Sequence, residues 1–255
     1  MQSSTSSGPV AVRRALAVAM AATILAVGLV IAGWLIGRGF AQGRQGERFV
    51  SVKGVAEREV KADLALWPLR YVATGNDLVE VQRKIAADGQ RVRAFLAAGG
   101  LEDEAISVQD VQVIDLLAQT YRSGPIDSRF IVAETLMVRT LQIDRVLERS
   151  GHLGDLVAAG VVLGGQEGGA IQGPLYLFTR LNEIKPPMIE EATRSARAAA
   201  VEFARQSQSR IEGIRRANQG LFQILPRDEV PGASEQSQVD KVVRVVSTID
   251  YTLTD

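Results

Sequence analysis

Residues 15–37 read ALAVAMAATILAVGLVIAGWLIG, 23 positions without one charged side chain. As a helix the run is about 35 Å long at about 1.5 Å per residue, against a hydrocarbon core about 30 Å thick. It can cross a bilayer with some tilt, and whatever follows it is delivered to a membrane surface. The run exceeds the core of a cleaved signal peptide, about 7–15 residues. Its best cleavage site, Gly39-Phe40-Ala41, sits beside Arg38. The sequence therefore reads as an uncleaved anchor over residues 15–37. A disordered, Ser/Thr-rich tail (residues 1–14) precedes it, and a polar linker (residues 38–47) leads to a domain over residues 48–255. Within the anchor, Gly33 and Gly37 form a G-x-x-x-G, the spacing that puts two bare backbone patches on one helix face where a second helix can pack.

Charge is distributed unevenly. The chain has 29 basic and 29 acidic residues, but its first 46 residues hold four arginines and no acid. The remainder therefore has 25 basic against 29 acidic residues, a net charge of −4. A mildly acidic domain lacks the basic face that nucleic-acid phosphates demand. With no cysteine, disulfides, thiolate metal sites and Cys nucleophiles are excluded, and a single histidine, His152, excludes a multi-His metal cluster. No cofactor is expected.

Residues 49–71 read as two strands, the second containing Trp67-Pro68, and a proline inside a strand points to an edge or a bulge. Residues 76–98 read as a helix capped at Asp77, with Leu78, Val81, Ile85, Val92 and Phe95 on one face. The acids Glu102, Asp103 and Glu104 read as a solvated turn. Strands follow at 106–119 and 129–140, joined by a loop through Ser123-Gly124-Pro125. Glu134 lies on the apolar face of the second strand, where a charge needs a partner. A second helix, 141–159, is weakened by Gly151 and Gly154. It carries Ser150, His152 and Asp155, whose spacing sends the side chains to different sides rather than into a catalytic line. The glycine-rich stretch 164–169 lacks the Gly-Lys-Ser/Thr end of a phosphate loop.

Residues 170–182 alternate like a long strand. Pro186-Pro187 then opens the longest soluble helix, to about Arg210, with Ile189, Ala192, Ala196, Ala199 and Phe203 as its packing stripe. Residues 215–220 read as a polar turn or bulge before 221–225, and residues 227–238 as a loop. The chain closes with a strand whose Val243, Val245, Ile249, Tyr251 and Leu253 face one way and Arg244, Thr248, Asp250 and Thr252 the other.

Four of these features together resemble the SIMPL-domain family, whose bacterial members include a periplasmic immunogenic protein. They are the opening Val52-Lys53-Gly54-Val55-Ala56, the Ala-rich helix after Pro186-Pro187, the segment Arg216-Ala217-Asn218-Gln219-Gly220 and the closing VVSTIDYTL. The resemblance covers about residues 48–254 and implies an α+β fold, an envelope location and a tendency to self-assemble. It carries over no catalytic residue. The expected architecture is α+β, a largely antiparallel sheet with helices packed on one face, preceded by one transmembrane helix. The positive-inside count, with two arginines before the helix and Arg38, Arg44 and Arg48 after it, favours a cytoplasmic domain. The resemblance favours the opposite orientation: tail in the cytoplasm, domain in the periplasm, a single pass through the inner membrane.

Three functions follow. The leading one is a non-enzymatic envelope protein whose domain forms a homo-oligomer while each anchor holds it in the lipid bilayer. The second is a periplasmic module that binds a ligand or a protein, in envelope or oxidative stress protection. The third is a hydrolase using carboxylates from separate segments, such as Glu134 with Asp110.

Overall fold

The computed structural model describes residues 9–44, 48–118, 127–164, 172–232 and 234–255. The apolar run lies inside one long helix, α1 (Pro9–Arg44), of which Val18–Gly39 is long and apolar enough to cross a membrane and none of it is buried against the rest of the chain. The helix is longer than the anchor read from sequence. It takes in residues 9–14 of the expected tail and residues 38–44 of the expected linker, because nothing in those flanks breaks a helix already nucleated and propagation adds a hydrogen bond per residue. The rest of the tail, residues 1–8, and the rest of the linker, residues 45–47, lie outside the described residues, as do the Ser123-Gly124-Pro125 loop and residues 165–169 of the glycine stretch.

Two four-stranded antiparallel sheets follow, each with helices on one face. The expected α+β class holds, with its strands divided between two sheets. In chain order the elements are β1 (Phe49–Lys61), β2 (Leu64–Gly75), α2 (Leu78–Ala98), β3 (Ile106–Asp115), β4 (Phe130–Thr140), α3 (Ile143–Ser150), α4 (Leu153–Ala158), β5 (Leu175–Leu177), α5 (Leu181–Gln206), β6 (Arg210–Gln219), β7 (Gln223–Pro226) and β8 (Asp240–Thr254). The first sheet is built on β8, with β1 along one side and β6 and β7 along the other. Its β1–β8 ladder runs unbroken from Phe49↔Thr252 to Lys61↔Asp240. The second sheet has the order β3-β4-β2-β5.

The closing strand behaves as its alternation requires. Val243, Val245, Ile249 and Tyr251 are buried beneath α5, and Leu253 is partly covered. The buried row also holds a polar member that the alternation hides. Lys241 is fully enclosed, its Nζ 2.5 Å from Glu235 Oε1 and donating to the Glu235 carbonyl at 2.6 Å. Pro68 also meets its expectation. It pairs with Met137 of β4, while β5 covers the other side of β2 only at Leu64–Leu66. That side is engaged again at Arg70 and Val72, by Gly164 and Val162, so the missing N–H falls at an open stretch of edge.

In α2, Asp77 caps the helix by accepting from the N–H groups of Val79 and Glu80, and Val81, Ile85, Val92 and Phe95 are buried on the second sheet. Leu78, expected on that face, is exposed, because it is the first helical residue and lies beyond the sheet. The expected helix 141–159 is two short helices, α3 and α4, separated at Gly151-His152.

Three readings of the second half need correction. Residues 170–171 of the expected long strand 170–182 lie outside the described residues, and within 172–182 the strand is only β5, because Asp63 captures the chain after it. The Asp63 carboxylate accepts from the N–H of Thr179 at 2.8 Å and of Arg180 at 3.2 Å, and pairs with the Arg180 guanidinium at 3.0 Å. Those bonds start α5 at Leu181, ahead of Pro186-Pro187, and α5 ends at Gln206. The extra first turn is held by Leu181 and Ile184 packing around Met188. The buried stripe of α5 is Met188, Ala192, Ala196, Ala200 and Ala204. Ala199 and Phe203 are exposed and Ile189 is only half-buried. Finally, the expected polar turn at 215–220 is the end of β6; only its bulge reading survives, in register shifts between Ile211 and Ile214 and between Ile214 and Arg216.

The stripe is small because α5 lies on the backbone of β1. A Cβ at Gly54 would come 1.8 Å from the Ala192 carbonyl oxygen and 2.5 Å from the Ala196 nitrogen. Only glycine permits that approach.

Candidate functional site

The constellations that invite a catalytic reading are not assembled. The Ser150 hydroxyl donates to the Leu147 carbonyl and His152 Nδ1 lies 3.0 Å from the Glu148 carbonyl, each tied to its own helical turn rather than to the other. Asp110 and Glu134 fall on opposite faces of the second sheet. Asp110 pairs with Thr135 and Val111 with Glu134, and side chains alternate between faces along a strand. Glu134 shares the helix-covered face with buried Val132, Leu136 and Val138, while Asp110 lines a cavity on the other face with Arg70, Thr135 and Met137. Among the described residues no group of three or more His, Asp or Glu side chains is placed to hold a metal ion. The acids of 102–104 sit at a turn, with Asp103 paired to Arg93 at 2.7 Å.

Glu134 does have a buried neighbour. The Tyr71 hydroxyl reaches the backbone of α2 at Gly89, where a Cβ would come within 2.7 Å of it. Burial first, and then the adjacent Glu134 carboxylate, push the Tyr71 phenol above its ordinary range. The residue preceding Gly89, Asp88, is fully enclosed and bridged by Lys84 at 2.9 Å and Arg91 at 2.5 Å. Tyr71 and Asp88 thus sit in a structural pin between α2 and the sheet: the Asp88 charge is paired, and none of the cavities described is lined by these residues.

The surfaces left over are of two kinds. The first is the outer edge of β3. Val108, Val111 and Val113 belong to the helix-side face of the second sheet, yet α2 covers only β2 and β4. Val111 and Val113 are 50% and 52% exposed, and Leu117 just beyond them 52%. The second is a groove of about 650 Å³ between the outer side of α5 and β6. Val201 and Ala204 form one wall, Ile211 and Ile214 the other, and Tyr251 lies at the base. Arg197, Arg205, Arg210 and Glu212 stand around it. Arg205 is held by Glu202 at 2.7 Å, which lowers that carboxyl below its usual range.

In α1, a Cβ at Gly33 or Gly37 would meet no atom within 4 Å, so both glycines present open backbone. Near the end of the span the Arg38 guanidinium stacks on Trp34 at 4.7 Å. Ala192, Ala196 and Ala200 of α5, by contrast, are covered by the chain's own β1 and offer no surface to a second copy.

The sequence pattern did not disclose the groove, since its arginines come from two elements and its wall from a bulged strand. Gly54 was within reach, because a glycine interrupting a run of alternating strand residues marks a close backbone approach. Compared with known families, the chain matches the model described as "SIMPL: Protein of unknown function (DUF541)" over residues 50–249, well over half its length. No curated protein matches it.

Proposed function

The chain belongs to the SIMPL family, and from that membership we propose that it is a non-enzymatic, membrane-anchored envelope protein whose domain assembles with copies of itself at the periplasmic face of the inner membrane. The observation that carries the reading is the outer edge of β3. An edge strand presents unpaired N–H and C=O groups, and here it also presents aliphatic side chains that α2 leaves uncovered. Pairing with a second copy satisfies both at once. The anchor supports it by concentrating copies in two dimensions, and Gly33 and Gly37 offer a second contact within the bilayer. The separation of Asp110 from Glu134 supports a role without catalysis.

Cross-linking and mass photometry of the detergent-extracted, full-length protein test the assembly, and a population of monomers alone refutes it. Protease treatment of intact spheroplasts tests the orientation: the domain is cut if periplasmic, and protection refutes that placement.

The groove favours a second reading, a periplasmic module that binds a ligand or a protein. Its volume lies within the range of small-molecule sites, about 300–1,000 Å³, and its walls are apolar with a few charged groups at the rim.

A further inference from the structure

Three observations converge on the groove between α5 and β6. Its walls are apolar and uncovered, with Val201 and Ile214 52% and 55% exposed. Its rim is positive. Arg205 is neutralised by Glu202, but among the described residues Arg197 and Arg210 have no ion-pair partner, and Glu212 is the only carboxylate in the lining. Its place in the fold is next to the anchor. Arg210 pairs with Thr254 on one side of β8 while Phe49, the first residue of β1, pairs with Thr252 on the other. The Arg215 guanidinium crosses β8 to lie 4.7 Å over the Phe49 ring. Residue 48 is four steps of chain from Arg44 at the end of α1, a reach of at most about 14 Å at about 3.5 Å per residue. Whatever path those residues take, this end of the domain stays close to the bilayer.

We propose that the groove holds one anionic phospholipid from the membrane in which the chain is anchored, its phosphate between Arg197 and Arg210 and an acyl segment along Val201, Ala204, Ile211 and Ile214. Guanidinium groups bind phosphate in a planar, forked geometry, and both arginines keep their donors free for it. Apolar walls supply the favourable transfer of methylene groups that a bare phosphate does not have. The ligand requires both features at once, and an amphiphile with a negative head has both. Short tethering then replaces a three-dimensional search by a local one.

The proposal rests on anchoring by α1, and the experiment separates the two. The chain has no cysteine, so Ala198→Cys in the full-length protein gives a single labelling site, exposed on α5 beside Arg197 and outside the apolar wall, and Val79→Cys, exposed on α2 of the other sheet, gives a control. Each is labelled with a fluorophore and reconstituted in phosphatidylcholine nanodiscs containing a nitroxide-labelled phosphatidylglycerol or, at equal mole fraction, a nitroxide-labelled phosphatidylcholine. The expected result is quenching at position 198 several-fold stronger with the anionic probe, no such preference at position 79, and loss of the preference in Arg197→Gln/Arg210→Gln. Both arginines are exposed, so the double variant keeps its fold, which circular dichroism verifies. Equal quenching by the two probes overturns the proposal, as does a preference that survives the double substitution. Fluorophore self-quenching that grows with the number of chains per disc at position 198 and not at position 79 also overturns it, by placing a second copy in the groove. Protein that fails to remain in the discs refutes the anchor instead.

Discussion

At Gly54 α5 lies closer to β1 than a side chain allows, and Gly54→Ala tests that contact. The added Cβ would stand 1.8 Å from the Ala192 carbonyl oxygen, 2.5 Å from the Ala196 nitrogen and 2.8 Å from the Ala196 Cβ. The first two are backbone atoms of a helix, so no rotamer change relieves them. A carbon–oxygen contact settles near about 3.3 Å, which requires α5 to move off the sheet by about 1.5 Å. Overpacking of a core ordinarily costs about 1–3 kcal/mol, and a gap of that size along Ala192, Ala196 and Ala200 forfeits more than a quarter of their dispersion contacts. Together these give a loss of about 3–4 kcal/mol, a large part of a domain's usual stability of about 5–15 kcal/mol. At about 2–4 °C per kcal/mol for a domain of this size, the melting temperature falls by about 10 °C. Differential scanning fluorimetry of the detergent-solubilised protein reads this directly. Gly213→Ala is the control, since its Cβ meets nothing within 4 Å, and it should stay within about 0.5 kcal/mol of the parent. Melting of Gly54→Ala within 2 °C of the parent, a margin of about 0.5–1 kcal/mol, refutes the close approach. So does full rescue by Ala196→Gly, which relieves only the Cβ contact and leaves the carbonyl in place.

Three shorter predictions follow. Lys241→Ala removes the cation from a fully enclosed site and leaves Glu235 with reduced solvation; the expected loss is about 2 kcal/mol, read as a lower urea midpoint, with Lys241→Met losing less because the stem still packs. Burial alone would raise the Asp63 carboxyl, but the hydrogen bonds from Thr179 and Arg180 outweigh it and hold the group below its usual value. Because the folded-state value is the lower one, Asp63 stabilises the fold above the unfolded pKa of about 3.9, and this contribution is lost as pH falls through the folded value. Asp63→Asn should therefore destabilise by about 1 kcal/mol at pH 7 and flatten the decline in melting temperature below about pH 5. Replacing Gly33 and Gly37 together by Leu should lower resonance energy transfer between labelled anchors in vesicles, and unchanged transfer would exclude that face from helix pairing.

The reach of the sequence can be traced residue by residue. The N-terminal apolar helix is legible because an uncharged run of that length has no break in it, and β8 because period-two alternation over so long a strand admits one reading. The α5 stripe was misplaced because alanine sits at residues 192, 196, 198, 199, 200 and 204, so several 3–4 spacings fit. What selects among them is Gly54, far away in sequence. The start of α5 and the end of β5 were misread for a related reason: both are decided by Asp63, more than 110 residues upstream. The Glu134–Asp110 pairing failed at a different step. Each residue was placed on the right strand, but which face Asp110 takes depends on the register shift between Val108 and Asp110 in β3. The groove needed all of this at once.

If copies of the domain pair edge to edge, β3 is the edge they would use. Natural edge strands are kept apart by charge, by bulges or by shortness. The outer edge of β1 carries Lys53, Glu57, Arg58, Glu59 and Lys61. That of β6 carries Arg210, Arg215 and Arg216 and two register shifts, and β5 is only three residues long. On β3 the bulge lies at Val108/Asp110, ahead of an uncharged run Val111-Gln112-Val113-Ile114. Among the described edge strands, with β7 only four residues long and ending at Pro226, that run alone lacks a protective device, and its two valines are half exposed. Charge there should therefore separate the copies while leaving each one folded, since exposed substitutions ordinarily stay within about 0.5 kcal/mol. Val111→Lys/Val113→Lys should weaken self-association at least tenfold by mass photometry, about 1.4 kcal/mol, with the melting temperature nearly unchanged. Glu57→Ala/Glu59→Ala on β1 should not. If the β1 variant dissociates and the β3 variant does not, the assembly edge belongs to the other sheet.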